Sequence, residues 1–325
     1  MTATSGEPRA GLAYHQLHRA GRNGWLWTLL GVFGLMLLTL VVAQFLLEAA
    51  FAIGLAVSGA DVSASMDRIA DTKHVTPGAL AFLNLSLAAA IPVAMLVTRY
   101  VHLMRPAWLA SVRPRIRWRW FGVCLGLAVL ALLATLVVSA LLPSQGPSDT
   151  KVGGAVNPWT HQMRDFLLVI LFLTPLQAAG EEYAFRGYLT QAFGGLFRAR
   201  WAAVVIPAFL FALAHGAQDV PVFFDRFAFG LVAGVLVIAT GGLEAGIAMH
   251  VLNNFLAFGL ALVYGDMSST LNASSGSWWN IPVTLTQSLV FLALVLWAAR
   301  RRRIATRTGA DAAGRGDFAS TEPAV

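Results

Sequence analysis

Residues 180–186 read Gly-Glu-Glu-Tyr-Ala-Phe-Arg, and they follow an almost wholly apolar run over residues 166–179. Two adjacent carboxylates and an arginine therefore lie where lipid or a buried core is expected. A charged side chain at that depth is costly, so it usually faces a partner or a water-filled cavity. On a helix, Glu182 and Arg186 share one face, which predicts an internal ion pair. Glu181 is rotated about 100° away and is left free for another role.

The composition around this stretch predicts an integral membrane protein. Of the 325 residues, 57% are hydrophobic and only 12% are charged, whereas a soluble domain carries about 25% charged residues. The single cysteine, Cys124, excludes an intramolecular disulfide framework. The net charge of +7 comes mostly from arginines that flank apolar runs. This distribution favours membrane orientation over nucleic-acid binding.

Eight apolar runs predict helices, so the expected fold class is all-α and polytopic, with about eight transmembrane helices. The predicted spans cover residues 25–47 (with a continuation towards 57), 78–98, 120–142, 165–190, 201–215, 227–240, 242–264 and 281–299. The fifth and sixth spans are short for a hydrocarbon layer about 30 Å thick.

Arginines accumulate in four segments: the N-terminal tail, the loop between the second and third spans, the segment after the fourth span, and residues 300–303. With eight spans, all four segments fall on one side, which the positive-inside rule makes cytoplasmic. We therefore expect a multi-pass plasma-membrane protein with both termini in the cytoplasm.

Polar side chains from three predicted spans fall at similar depth. His215 and His250 are the only two histidines within apolar spans, and Asn254 follows His250 by one helical turn. At 1.5 Å per residue, Glu181 lies roughly 13 Å above the inner boundary, His250 about 11 Å, Asn254 about 17 Å and His215 about 21 Å, with Arg186 lower at about 6 Å. We therefore expect these groups to meet in one site.

Such a set is suited to peptide-bond hydrolysis. Glu181 can act as general base on a water molecule, and His215 can orient that water or carry its proton. His250 and Asn254 can donate hydrogen bonds to the oxyanion of a tetrahedral intermediate, a contribution of roughly 10²–10³ in rate per donor. The ion pair predicted above would fix the helix and balance its charge.

Each member of the set also has a simpler explanation. The ion pair can be purely structural, a lone histidine on an apolar helix is more often a core residue, and Asn254 alone is better explained by interhelical hydrogen bonding. Glu181, His215 and His250 could also ligate zinc, although the chain has no H-E-x-x-H motif. The residues alone leave the metal question open, and only their combination favours catalysis.

The three motifs resemble those of the CPBP family of intramembrane proteases, the CAAX protease and bacteriocin-processing (Abi) group related to type II CAAX prenyl endopeptidases. The family signature is Glu-Glu-x-x-x-Arg, Phe-x-x-x-His and His-x-x-x-Asn on successive membrane helices. In this sequence the motifs occupy residues 181–186, 211–215 and 250–254, intact and in that order. The resemblance covers roughly residues 165–264, and the first three spans match only in being helical.

The resemblance implies an intramembrane endopeptidase in which the first glutamate and the middle histidine, Glu181 and His215, activate water. His250 and Asn254 correspond to the residues of the oxyanion hole, and the roles of Glu182 and Arg186 are less settled in the family. The resemblance favours a mechanism without a metal, so we expect no cofactor. The expected partners are the lipid bilayer and a membrane protein or peptide substrate, with no nucleic acid.

Two alternatives belong to other functional classes. A buried Glu/His relay is also typical of ion- or proton-coupled transporters, but the sequence shows no internal repeat of the kind that many transporters have. A non-proteolytic scaffold or immunity protein could share the same fold.

The predicted organisation has five parts. Residues 1–24 form a cytoplasmic tail, 25–164 the first three helices, 165–264 the catalytic core, 265–303 an outer loop with the last helix, and 304–325 a disordered tail.

Overall fold

The structure, a computed structural model, describes residues 7–142, 155–216, 218–273 and 275–309. Seven of the described helices are long and apolar enough to cross a membrane, and one further apolar helix is shorter. In chain order they are α1 (Trp25–Val57), α2 (Pro77–Tyr100), α3 (Trp118–Leu141), α4 (His161–Leu196), the shorter α5 (Ala202–Ala214), α6 (Val220–Thr240), α7 (Glu244–Tyr264) and α8 (Asn280–Arg301). The protein is an all-α, multi-pass membrane protein, as its apolar runs predict.

Smaller elements lie outside these helices. They are the 3₁₀ helices Tyr14–Ala20 and Pro106–Leu109 and the short α-helices Val62–Ala70 and Met267–Leu271. In the described ranges the only strand-like pairings are two isolated β-bridges.

Each predicted span coincides with a helix, but the predicted start of the sixth span is wrong. The prediction began it at residue 227 because two charged residues, at 225 and 226, interrupt the apolar run, whereas α6 begins at Val220. The Asp219 carboxylate caps this start by accepting a hydrogen bond from the Val222 backbone N–H at 3.0 Å. Arg226 finds partners within the fold, because it donates to Gln218 and to a loop carbonyl. Charge therefore did not end the helix.

One end of the molecule, which we call the arginine-rich end, holds both terminal segments. It comprises the 3₁₀ helix Tyr14–Ala20, residues 101–117, the turn at 240–243 and residues 302–309. Backbone hydrogen bonds join residues 11 and 12 to residue 308. The two ends of the described chain therefore lie at the same end of the molecule.

The C-terminal tail was predicted to be disordered from residue 304, but its described part is packed. Ile304 is buried, and Arg307 forms a β-bridge with Ala13. The rest of that predicted tail, residues 310–325, lies outside the described residues. The described part of the N-terminal tail is likewise packed, through the 3₁₀ helix.

A buried ion pair at the arginine-rich end was not predicted. Arg117 contacts Glu244 at 2.6 Å, and neither side chain is exposed. Arg117 also donates to the carbonyls of Thr240 and Ala305, each at 3.0 Å. One guanidinium therefore connects the start of α3, the end of α6, the start of α7 and the segment after α8.

Helix α7 lies between two apolar clusters. In one, Ile247 packs with residues of α1, α2 and α4, such as Leu35 and Tyr188. In the other, Met249 packs with residues of α3, α6 and α8, such as Phe291. The helix that carries His250 and Asn254 is therefore central and held on both sides.

Glycines allow two pairs of helices, α4 with α2 and α6 with α5, to approach closely. A β-carbon at Gly180 of α4 would lie 2.2 Å from the carbonyl oxygen of Leu87 in α2. A β-carbon at Gly230 of α6 would lie 3.0 Å from Ala208 of α5. Small residues at helix contacts permit such packing in lipid. The packing fixes α4 at the position just before its paired carboxylates.

Candidate active site

The paired carboxylates lie where helix α4 changes its winding. Residues Glu182–Leu189 form a π-helical segment, while the turns before and after it are α-helical. Short π segments are often found at functional sites. Here the segment begins at the glutamate pair.

The predicted ion pair between Glu182 and Arg186 is confirmed. Glu182 Oε1 accepts from Arg186 Nη1 at 3.0 Å, and both side chains are buried. The same oxygen also accepts from His250 Nδ1 at 3.0 Å. Glu182 therefore joins α4 to α7 as well as stabilising its own helix.

Aromatic rings surround the Arg186 guanidinium. Its central carbon lies 4.1 Å from the ring centroid of Phe211 and 5.7 Å from that of Phe229. A guanidinium over an aromatic face gains a cation–π attraction, which is larger where water is absent. The phenylalanine of the Phe-x-x-x-His motif thus has a physical role as a platform for the arginine of the first motif.

His250 bridges the two adjacent glutamates. While its Nδ1 faces Glu182, its Nε2 lies 3.2 Å from Glu181 Oε2. Glu181, predicted to be free for another role, is therefore in contact with His250. These contacts run continuously from Arg186 through Glu182 and His250 to Glu181.

Asn254 has a partner that sequence reasoning missed. Its Nδ2 donates to Gln177 Oε1 at 2.9 Å, and Gln177 is buried at 7% exposure. Gln177 lies one helical turn before Glu181, as Asn254 lies one turn after His250. Its position four residues before Glu181, in an otherwise apolar stretch, was the signal available in the sequence.

His215 occupies the rim of the site. It follows the last residue of α5, its side chain is exposed, and its Nδ1 donates to the Phe211 carbonyl at 2.8 Å. In the neutral ring this bond places the proton on Nδ1 and leaves Nε2 as an acceptor. Glu181 and His250 are both close enough to act electrostatically on the ring. The structure thus brings the three motifs to one region, with His215 at its open edge.

The short length of α5 explains this exposure. Thirteen residues rise by only about 20 Å, less than a hydrocarbon layer about 30 Å thick. The chain then reverses at Gly216, whose φ is +79°, a value that glycine adopts without strain. His215 therefore lies at a helix end, with its ring 4.6 Å from that of Phe211.

No group of three or more His, Cys, Asp or Glu that could hold a metal ion occurs among the described residues. Both ring nitrogens of His250 face carboxylates, and the Nδ1 of His215 donates to a backbone carbonyl.

The fold and this cluster define a multi-pass membrane protein with a buried Glu/His/Asn site. The family model for "Type II CAAX prenyl endopeptidase Rce1-like" matches residues 163–256, which contain all three motifs. This segment is similar to that family, as the motifs predict. The match supports a CAAX-type intramembrane protease.

A search among curated proteins found one relative of comparable length. "Uncharacterized protein YyaK" of Bacillus subtilis (strain 168) is 27% identical over 233 residues, which cover 66% of this chain and 73% of that protein. No solved structure matches the chain.

Proposed function

We propose that the protein is an intramembrane endopeptidase that hydrolyses a peptide bond of a membrane-associated protein or peptide. The observation that carries the proposal is the contact of His250 with both glutamates. The Phe211 ring lies next to both His215 and His250, with ring centroids 4.6 and 6.0 Å apart. The match to the prenyl endopeptidase family supports the same reaction class and does not favour a transporter.

In the proposed reaction, Glu181 takes a proton from a water molecule that His215 Nε2 orients by accepting its second hydrogen bond. The water oxygen bonds to the peptide carbonyl carbon, and the carbonyl electron pair moves to its oxygen. Protonated Glu181 then gives its proton to the leaving nitrogen as the C–N bond breaks. One general base of this kind contributes roughly 10²–10⁴ in rate.

The contact between His250 and Glu181 couples base action to oxyanion stabilisation. While Glu181 is a carboxylate, its Oε2 lies 3.2 Å from His250 Nε2 and competes for an N–H carried there. Once Glu181 has accepted the water proton, that N–H is released and can donate to the new oxyanion. Asn254 supplies a second donor, and Glu182 with Arg186 fixes the opposite side of the imidazole.

We also propose that the reaction needs no metal, because the described residues contain no group of three or more His, Cys, Asp or Glu that could hold one. Activity is expected to persist in a strong chelator, and elemental analysis is expected to find no stoichiometric zinc. Loss of cleavage on chelation, with recovery on adding zinc, would contradict this proposal.

The test of the activity compares purified variants on vesicles that carry prenylated and unprenylated membrane-anchored peptides. Glu181→Gln keeps the size of the side chain and is expected to lower cleavage by roughly 10²–10⁴-fold, and His215→Ala is expected to lower it as well. Glu48→Gln, at an exposed carboxylate of α1, is the matched control and should cleave like the wild type. Cleavage by Glu181→Gln at the wild-type rate would refute the mechanism, and absence of cleavage by the wild type on every peptide would favour a non-proteolytic scaffold.

We propose a plasma-membrane location with the arginine-rich end in the cytoplasm. Support comes from the arginine clusters on that side and from the positive-inside rule. Reporter fusions after residue 309 are expected to be active only as cytoplasmic reporters.

A further inference from the structure

We propose that Gln177 is a positioning residue of this site, which acts by fixing the side-chain amide of Asn254. None of the three motifs contains Gln177. The inference rests on the proposed function, because it concerns the donor that Asn254 supplies to the oxyanion.

Gln177 belongs to a pair of polar contacts between α4 and α7. Glu181 contacts His250 at 3.2 Å, and one turn away Gln177 contacts Asn254 at 2.9 Å. The order of the residues shows that the two helices run antiparallel at this point. The four side chains form two neighbouring rungs, so that the second rung is aligned with the site by the first.

The chemistry of the contact determines what Gln177 can do. An asparagine amide has two N–H donors and one carbonyl acceptor. Gln177 Oε1 accepts from Asn254 Nδ2, which engages one donor and leaves the second N–H for another acceptor. If the amide turned over, its oxygen could face the negative oxyanion, and the donor would be replaced by a repulsive acceptor.

Burial makes this control effective. Gln177 is 7% exposed, and it lies in the α-helical turn that Gly180 packs tightly against α2. A buried hydrogen bond with few competing partners holds its groups in one orientation. Because the effect passes through Asn254, we expect it on the chemical step and not on substrate binding.

The experiment measures kcat and KM for Gln177→Met, Asn254→Ala and the double variant on the same vesicle-bound peptide. Methionine is close to glutamine in size but cannot accept the amide hydrogen bond in the same way. Gln177→Met is expected to lower kcat by about 10- to 100-fold, as misplacement of a catalytic group does, with KM within about twofold. Asn254→Ala is expected to lower kcat by about 10²–10³-fold.

The double variant separates positioning from a structural role. If Gln177 acts through Asn254, the double variant should cleave like Asn254→Ala alone, because a positioner has no effect once its target is gone. Multiplication of the two losses would overturn the proposal. Gln177→Leu gives the same comparison if the methionine variant does not fold.

Gln191→Met is the matched control. Gln191 is a fully buried glutamine on α4 whose Nε2 donates a hydrogen bond of 2.9 Å to the Trp108 carbonyl, away from the site. Its replacement should lower the unfolding temperature but leave kcat unchanged. Wild-type kcat in Gln177→Met would overturn the role of Gln177 alone, whereas absence of cleavage by the wild type would refute the protease function and this role with it.

Discussion

Glu181 and Glu182 are adjacent in the chain but have different surroundings. Glu182 is fully buried and accepts from both Arg186 and His250, whereas Glu181 is half-buried and contacts His250. The structure therefore separates the two carboxylates into one that holds the site together and one that faces the open side.

These different surroundings predict that substitution of Glu182 lowers the free energy of unfolding more than substitution of Glu181 does. Glu182→Ala leaves the Arg186 guanidinium buried without its carboxylate, and such a change costs about 3–5 kcal/mol of unfolding free energy. Glu181→Ala removes a partly exposed group and is expected to cost less stability while abolishing cleavage. Denaturant unfolding in detergent, followed by helical circular dichroism, checks the ranking. Equal destabilisation by both variants would contradict it.

Gly246 makes room for the Glu182 carboxylate. A β-carbon at this position would lie 2.7 Å from Glu182 Oε2, which is shorter than any normal van der Waals contact. Gly246→Ala is therefore expected to displace the carboxylate, weaken its bond to His250 and reduce cleavage at least about tenfold, since small misplacements at a reacting centre are costly. Gly259→Ala, on the same helix but with open space around the added methyl group, is the control. Full activity of Gly246→Ala would show that Glu182 can move without consequence.

At the scale of elements, the N-terminal 3₁₀ helix Tyr14–Ala20 packs on the end of α4 through histidines. His18 stacks on His102, with ring centroids 4.2 Å apart, and His102 Nε2 lies 2.7 Å from the Tyr188 hydroxyl. Tyr188 belongs to the same π-helical segment as Glu182. A segment outside the membrane is thus connected to the winding of the helix that carries the candidate base.

This docking is expected to weaken in acid. Burial lowers the pKa of His18 and of His102, and burial together with nearby Arg19, Arg307 and Arg200 lowers the pKa of His15 to about 4. The undocked segment binds more protons than the docked one, so docking is full above an ordinary histidine pKa of about 6.5 and weakens as the pH falls towards 4.

Hydrogen exchange of residues 14–20 checks this prediction. After correction for the intrinsic rate, protection should be constant from pH 8 to about 6.5 and should fall at lower pH. His15→Gln, which cannot be protonated, should show a smaller fall. Protection that is independent of pH between 7 and 4.5 would contradict the argument.

At the scale of the whole molecule, hydropathy and helical spacing predicted the helices and the local ion pair. They did not predict the side-chain contacts between distant segments. The spans follow from apolar runs, and the Glu182–Arg186 pair follows from a four-residue spacing. The partner of Asn254 is 77 residues away, and that of Arg117 is 127 residues away. No local pattern specifies such pairs, because they depend on which helices are neighbours. The start of α6 was missed because its charged residues are compensated by a loop distant in sequence.

The Arg117–Glu244 pair provides a prediction at this scale. Arg117→Leu leaves a buried carboxylate without its cation and is expected to cost about 3–5 kcal/mol of unfolding free energy. The double variant with Glu244→Leu should recover part of that loss, because the unpaired charge is removed as well. Unfolding measured for both variants and the wild type gives the comparison. A double variant less stable than either single variant would contradict this account.

The short helix α5 has a consequence for the surrounding lipid. Its neighbour α6 has 21 residues and α5 has 13, so the apolar wall beside α5 is lower by about 12 Å at 1.5 Å per residue. Lipid chains that border this side must shorten or tilt to avoid exposing hydrocarbon, at a modest elastic cost for each ångström of mismatch. We therefore expect the bilayer to be thinner next to His215, and thin membranes to accommodate the short helix at lower cost than thick ones.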